Sequence, residues 1–390
     1  MSVSVILNTG AIAAGLVPLA FIQKPTDPMK QTSIAIGVGS GGSVPHVAIW
    51  DDDGNRITQF KGDANGHICK GETWQTTLDN EQNGMRPADP TYVSIVMQEN
   101  DAICVAAVVV SGNGNQWTWT GDMAYTCGAQ WFESQYTFQG SNVPIRCAWI
   151  DADHTNNIVA KGISMHIRDF TADQGLVDQY NDDTRRLCQN TARMSFNPEP
   201  IVPDSMIKFF SPPLEYTRNE NADKPDLPST AGALKEPDRG IDKKTSAYPD
   251  GTNMNIGKKN GKRHARDFRN LKVRGVKNFQ HDTLVVSHFE RHSAKELCEN
   301  PMSLGSDFVS VREGIFCDME TAKWWPLCDS SHTKECFDLE IQSLKVDGPH
   351  KRNDVPEKHY AKYEEWGLTN EKRSLLPRKK HPGDRCNPKE

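Results

Sequence analysis

AICVAAVVV (Ala102–Val110) decides the fold class. An almost unbroken apolar run of this length, rich in valine, fits a central strand covered on both faces. Just upstream, in Tyr92–Gln98, Val93, Ile95 and Met97 alternate with smaller or polar residues, as a half-buried neighbouring strand requires. Further out, Ile34–Val38, Val44–Trp50, Arg56–Phe60, Thr73–Leu78, Trp117–Thr120, Ile145–Ile150 and Ile163–Ile167 each run for a strand's length between Gly, Asp, Asn or Pro. No helical period intervenes. Strands without crossover helices predict a mainly β chain whose amino-terminal part is an antiparallel β-sandwich or jelly-roll-like domain.

The period changes at Thr171. Leu176, Tyr180, Thr184 and Leu187 then fall at spacings of three and four within Ala172–Arg193, which predicts one helix following the sandwich. Asp173 and Asp178 near its start and Arg185, Arg186 and Arg193 near its end suit the helix dipole. Beyond the Pro212–Pro213 break, large apolar residues become scarce. The organisation expected is a β-sandwich with its helix (1–216), a basic flexible linker (217–278), a small disulfide-rich module (279–347) and a polar charged tail (348–390). Within the module, Thr283–Phe289 and Phe308–Val311 read as strands, Ser293–Cys298 as a short helix and Phe316–Cys336 as a compact loop region around Trp324 and Trp325.

Ten cysteines in 390 residues, four of them at Cys298, Cys317, Cys328 and Cys336, predict disulfides and hence a secreted, extracellular protein. The pairing expected is Cys328 with Cys336 and Cys298 with Cys317, although four cysteines admit three connectivities. Zinc held by Cys317, Cys328, His332 and Cys336 is the rival, with ligand spacing unlike a common finger. Ala11–Ile22 has the length of a signal-peptide core but no Lys or Arg before it, so Val3–Leu7 reads as a first strand. It is too short to span a bilayer, so no membrane span is expected. No Asn-x-Ser/Thr sequon occurs.

A net charge of −6 does not suggest a nucleic-acid binder. The basic run from Lys258–Lys259 and Lys262–Arg263 to Arg274 lacks the interleaved aromatics of a stacking surface. Paired basic residues there and at Lys351–Arg352 suit a furin- or kexin-like processing protease.

Several constellations bear on function. Gly37, Gly39, Gly41 and Gly42 are followed by a strand, so they read as a glycine-rich hairpin connection rather than a phosphate loop. Asp51, Asp52 and Asp53 offer calcium-type ligands, yet Asp53-Gly54 is also a strong hairpin signal. Asp151, Asp153 and His154 end a strand; they could hold a divalent metal, jointly with Asp51 and Asp53, or do acid/base work, and a polar loop of Asx turns is the plainer reading. Trp117 and Trp119 share one face of a strand and lead the aromatic series Tyr125, Trp131, Phe132, Tyr136 and Phe138; exposed, they would form a platform for sugar rings, and inward, they would be core. No nucleophile elbow, His-Glu-x-x-His or P-loop lysine is present.

IAIGVGSGGSVPHVAIW (Ile34–Trp50), SGNGNQWTWTGDMAYTCG (Ser111–Gly128), CAWIDADHTN (Cys147–Asn156), FFSPPLEY (Phe209–Tyr216) and FCDMETAKWWPLCDSSHTKECFD (Phe316–Asp338) give the chain a resemblance to uncharacterised proteins of filamentous ascomycete fungi that are predicted to be secreted. That resemblance implies location and architecture and carries no catalytic residue. The function expected is non-enzymatic binding of a glycan or cell-surface component through Trp117 and Trp119, with no cofactor. The alternatives are a metal-dependent hydrolase built on Asp151, Asp153 and His154, and a structural or storage protein.

Overall fold

The structure is a computed structural model. It describes residues 25–51, 56–62, 66–80, 89–138, 141–170, 177, 180–181, 184–187, 193–198, 209–211, 233–235, 279–346, 358–367 and 386. The mainly β class is as expected. In chain order the strands are β1 (Gln31–Ser40), β2 (Gly42–Ser43), β3 (His46–Trp50), β4 (Arg56–Phe60), β5 (His67–Ile68), β6 (Thr73–Asp79), β7 (Tyr92–Val96), β8 (Ile103–Gly112), β9 (Asn115–Thr120), β10 (Trp131–Phe132), β11 (Cys147–Ile150), β12 (Gly162–His166), β13 (Met194–Asn197), β14 (Phe209–Ser211) and β15 (Ala233–Lys235). After them come β16 (Thr283–Ser287), β17 (Asp307–Ser310), β18 (Ile315–Asp318), β19 (Lys323–Pro326), β20 (Cys336–Asp338), β21 (Ser343–Lys345) and β22 (Lys362–Trp366). Two short helices are α1 (Gly121–Thr126) and α2 (Ala294–Glu299).

One sheet of the sandwich runs β10-β11-β8-β1-β6 and the other β13-β12-β7-β3-β4, every pairing antiparallel. Along β8, β1 occupies one edge, while β11 and β9 share the other. All ten residues of β8 are buried, as its apolar run predicts. Val108 and Val110 point between the sheets, and Ala107 and Val109 point outward under Phe138 and Ile145. The β8–β9 hairpin turns on Asn113 and Gly114, both at positive φ (49° and 78°), the dipeptide that matches the twist of the flanking strands.

The glycines of the 37–42 stretch are not a hairpin connection at positive φ. Gly37 and Gly39 lie in extended β1, Gly42 in β2 and Gly41 between them, and they serve close approach instead. A Cβ on Gly37 would stand 2.2 Å from the Tyr136 ring, and one on Gly39 2.7 Å from Cys147 Sγ. Tyr136 is tethered by a 2.9 Å hydrogen bond between its hydroxyl and that of Thr73, so it cannot swing away freely. Gly37→Ala is therefore expected to lower the unfolding free energy by about 1–3 kcal/mol. Chemical denaturation checks this, and an unchanged midpoint would show the ring yielding without cost.

The predicted helix is described only in part. Val177, Tyr180 and Leu187 are buried, and Thr184–Leu187 form a single 3₁₀ turn. The early strand Val3–Leu7, the segment Ala11–Ile22, the basic run and the dibasic Lys351–Arg352 lie outside the described residues. Within 217–278, Ala233–Lys235 pairs with Phe209–Ser211.

The carboxy-terminal unit departs from the expected small module. Its five-stranded sheet runs β19-β18-β17-β16-β22, with β16 parallel to both β17 and β22. Parallel neighbours need a crossover, and α2 lies in the one between β16 and β17. Phe316–Cys336 holds loop, as expected, but also most of β18 and all of β19; strands of three or four residues are too short to show alternation. Lys362–Trp366, assigned by composition to the polar tail, is a sheet strand that buries Trp366. Val285, Phe308, Cys317 and Trp366 join the sandwich residues in one continuous core, so the unit completes itself on its neighbour. The opposite face, with Leu284, Val286, Val309 and Phe316, is closed by Phe337 of the β20–β21 hairpin.

Cystines tie the whole together. Cys298–Cys317 and Cys328–Cys336 pair as expected, and Cys104–Cys147 and Cys69–Cys386 join them. Cys127 is disulfide-bonded as well, and among the described residues no cysteine is free. The zinc alternative falls because its three sulfurs are consumed in disulfides.

Candidate functional site

Trp117 and Trp119 share a face, as alternation on β9 requires, but that face is the inter-sheet core. Trp117 is 8% exposed and Trp119 fully buried, its Nε1–H donating to Met194 Sδ at 3.1 Å. They are not a sugar platform. Trp131, Phe132 and Phe138 are buried too.

The loop after β11 uses its polar groups internally. Asp151 is buried, and its Oδ2 accepts from the Thr155 hydroxyl at 3.0 Å; Asp153 Oδ1 accepts from Thr155 N–H at 3.0 Å. His154 Nδ1 lies 3.2 Å from the Ile158 carbonyl oxygen. His154, Asn156 and Asn157 all take left-handed backbone (φ 59°, 57° and 63°), and the Gln130 amide pins the loop at Asn157 O and Val159 N. Burial pushes the Asp151 carboxyl up to about 6, while the Thr155 N–H holds Asp153 below the usual carboxylate range. These are the Asx-type bonds of a structural loop. Asp51, Asp151 and Asp153 do not come together as three ligands among the described residues, and Asp53 lies outside them. Asp51 does follow β3 in a hairpin with β4, paired through Trp50 and Arg56.

A larger polar constellation, assembled from five separated segments, sits where the sandwich meets the carboxy-terminal sheet. Arg146 enters just before β11, where Cys147 is fixed to Cys104. Its guanidinium donates to Glu296 Oε2 of α2 at 2.6 Å, and its Nε stands 3.6 Å from Glu133 Oε1. It lies over the Tyr125 ring (4.2 Å) and the Trp131 ring (5.0 Å). Tyr125 of α1 also hydrogen-bonds Glu296. Arg291 reaches the other way to Asp122 of α1 at 2.9 Å. Behind them Ser287 Oγ meets His292 Nδ1 at 2.7 Å, with His292 Nε2 3.6 Å from Glu133 Oε2.

Serine, imidazole and carboxylate in sequence suggest a nucleophile relay, yet all three are at most 2% exposed and no substrate reaches them. At 3.6 Å the imidazole–carboxylate contact is also too long for a hydrogen bond. Burial raises Glu133 to about 7, raises Asp122, and drops His292 to about 3, so the imidazole is held neutral. The arrangement is an internal joint.

Among the described residues, exposed aromatic surface remains on the two edge strands of the carboxy-terminal sheet, at Tyr363 of β22 and at Trp324 of β19. Of nine tryptophans, Trp324 is the one substantially exposed, at 41%. Alternation turns Trp325 inward against the cluster of Phe316 and Phe337 and leaves Trp324 on the α2 side. Its Nε1–H donates to Glu299 at 3.3 Å, and Lys295 Nζ stands 5.2 Å from its ring. An exposed indole with an ammonium over its ring and a carboxylate on its N–H suits a hydroxylated ring ligand. The Lys323-Trp324-Trp325-Pro326 run was the available signal: two adjacent tryptophans on a strand must face opposite sides.

Compared with models of known protein families the chain matches none, and a search of curated proteins finds no significant match.

Proposed function

We propose that this is an extracellular, non-enzymatic binding protein that recognises a glycan or cell-surface component through Trp324. The observation that carries the reading is the exposure of this one indole in a chain whose other tryptophans are buried or half-buried. Lys295 and Glu299 beside it supply the polar groups that would orient ring hydroxyls. Export is supported by the cystines, which persist in oxidising compartments and here join segments from Cys69 to Cys386. Among the described residues no helix is long and apolar enough to cross a membrane. Cleavage at Lys351–Arg352 by a kexin-like protease belongs to the same reading, and Cys69–Cys386 would keep the two pieces joined.

Glycan-array binding by the purified protein tests it. Trp324→Ala is expected to weaken binding at least about tenfold with unchanged circular dichroism. Full binding by that variant, or no glycan bound by the wild-type protein, overturns the proposal.

A further inference from the structure

The Lys358 side chain, in the segment entering β22, is 5% exposed and lies against two carboxylates that are themselves 0% and 1% exposed. Its Nζ lies 3.0 Å from Asp307 Oδ2 and 2.7 Å from Asp318 Oδ1, with Glu320 at 3.4 Å. The two aspartates are held differently. Asp318 accepts from Glu320 N–H, Thr321 N–H and the Thr321 hydroxyl, which fixes it as a turn cap. Asp307 accepts from Met319 N–H at 2.8 Å on Oδ1 and from the Tyr360 hydroxyl at 2.7 Å on Oδ2. A primary amine, a dry carboxyl with two donors aimed at its oxygens, and a second carboxylate on the same nitrogen are the parts needed to make an amide.

We propose that Lys358 and Asp307 condense spontaneously into an intramolecular isopeptide bond, with Asp318 as the proton carrier. One ammonium proton passes to Asp307 across their contact, leaving a neutral amine and a neutral acid. The Nζ lone pair attacks Asp307 Cγ; Met319 N–H stabilises the oxyanion that forms on Oδ1, and Tyr360 O–H holds the protonated Oδ2 that will depart. Asp318 takes a second proton from the nitrogen and gives it to the departing hydroxyl. The C–O bond breaks, one water leaves, the carbonyl re-forms and Asp318 is again a carboxylate. Ammonium and carboxylate have become amide and water, with no oxidant or other reactant.

Burial favours this in two ways. It pushes the Asp307 carboxyl above its ordinary value, towards the acid form that is attacked. It also works to strip the ammonium of its proton, although the surrounding carboxylates leave Lys358 above the usual lysine range, which is why a proton carrier in contact is required. The bond would join the first residue of β17 to the segment entering β22. Those strands flank β16 on opposite sides, so the added parallel strand could not leave the sheet.

Mass spectrometry of the full chain decides it. After reduction of the disulfides, the wild-type protein is expected to be one water lighter than its sequence, and a protease digest to contain one branched peptide joining residues 307 and 358. Lys358→Met and Asp307→Ala should each restore the full mass, and Asp318→Asn should leave most chains unlinked. A full-mass wild-type chain, or a water loss without the branched peptide, overturns the proposal.

Discussion

Arg146→Ala is expected to lower the unfolding free energy by about 3–5 kcal/mol, the range found when one partner of a buried ion pair is removed. The side chain is 8% exposed and serves two units at once. It pairs with Glu296 of α2, neutralises the region around buried Glu133 and Asp122, and fills the space over the Tyr125 and Trp131 rings. Truncation leaves carboxylates facing low dielectric and opens a cavity between the sandwich and the carboxy-terminal sheet. Arg146→Met, which keeps much of the apolar stem, separates the two contributions: it should recover the packing share and none of the charge share. The loss should be greater above pH 7 than at pH 5, because Glu133, raised to about 7, is largely neutral at the lower pH and needs no guanidinium there. Urea unfolding of both variants at the two pH values measures this. A loss below about 1 kcal/mol for Arg146→Ala would show that the joint relaxes around the missing cation.

What the sequence disclosed follows from how local each signal is. Ala102–Val110 announced a strand buried on both faces, because period and length are properties of the run itself. The pairings Cys298–Cys317 and Cys328–Cys336 were legible since each closes a short loop, whereas Cys69–Cys386 spans almost the whole described chain and had no local cue. Trp117 and Trp119 were correctly placed on one side of β9, but alternation does not say which side is wet; that is settled by the second sheet, carrying Met194 from a distant segment. The polar joint was invisible for the same reason. Asp122, Glu133, Arg146, His292 and Glu296 are each unremarkable in their own stretch, and only the docking of one sheet on another makes them neighbours. The single hint was Arg146, an isolated cation set directly against the apolar strand of Cys147–Ile150.

The pH dependence of the joint gives the second large effect, and two opposed groups set its sign. Glu133 is raised from 4.5 to about 7 in the folded protein, so between those values the native state holds a proton that the unfolded chain has released. Its contribution to stability is complete below about pH 4.5 and is lost as the pH climbs to about 7. His292 is lowered from 6.5 to about 3, so its contribution is complete above about pH 6.5 and is lost as the pH falls to about 3. Across the shared window the two slopes, each about 1.4 kcal/mol per pH unit, cancel. Glu133→Gln keeps the shape and removes one slope. The variant is therefore expected to gain stability relative to wild type by about 3 kcal/mol as the pH is raised from 4.5 to 7, leaving His292 to destabilise it alone in acid. Denaturant melts of the two proteins at intervals across this range, compared as differences so that every other titrating group drops out, test the assignment. If the two stability curves run parallel from pH 4.5 to 7, Glu133 is ionised in the native protein and Arg146, rather than burial, controls it.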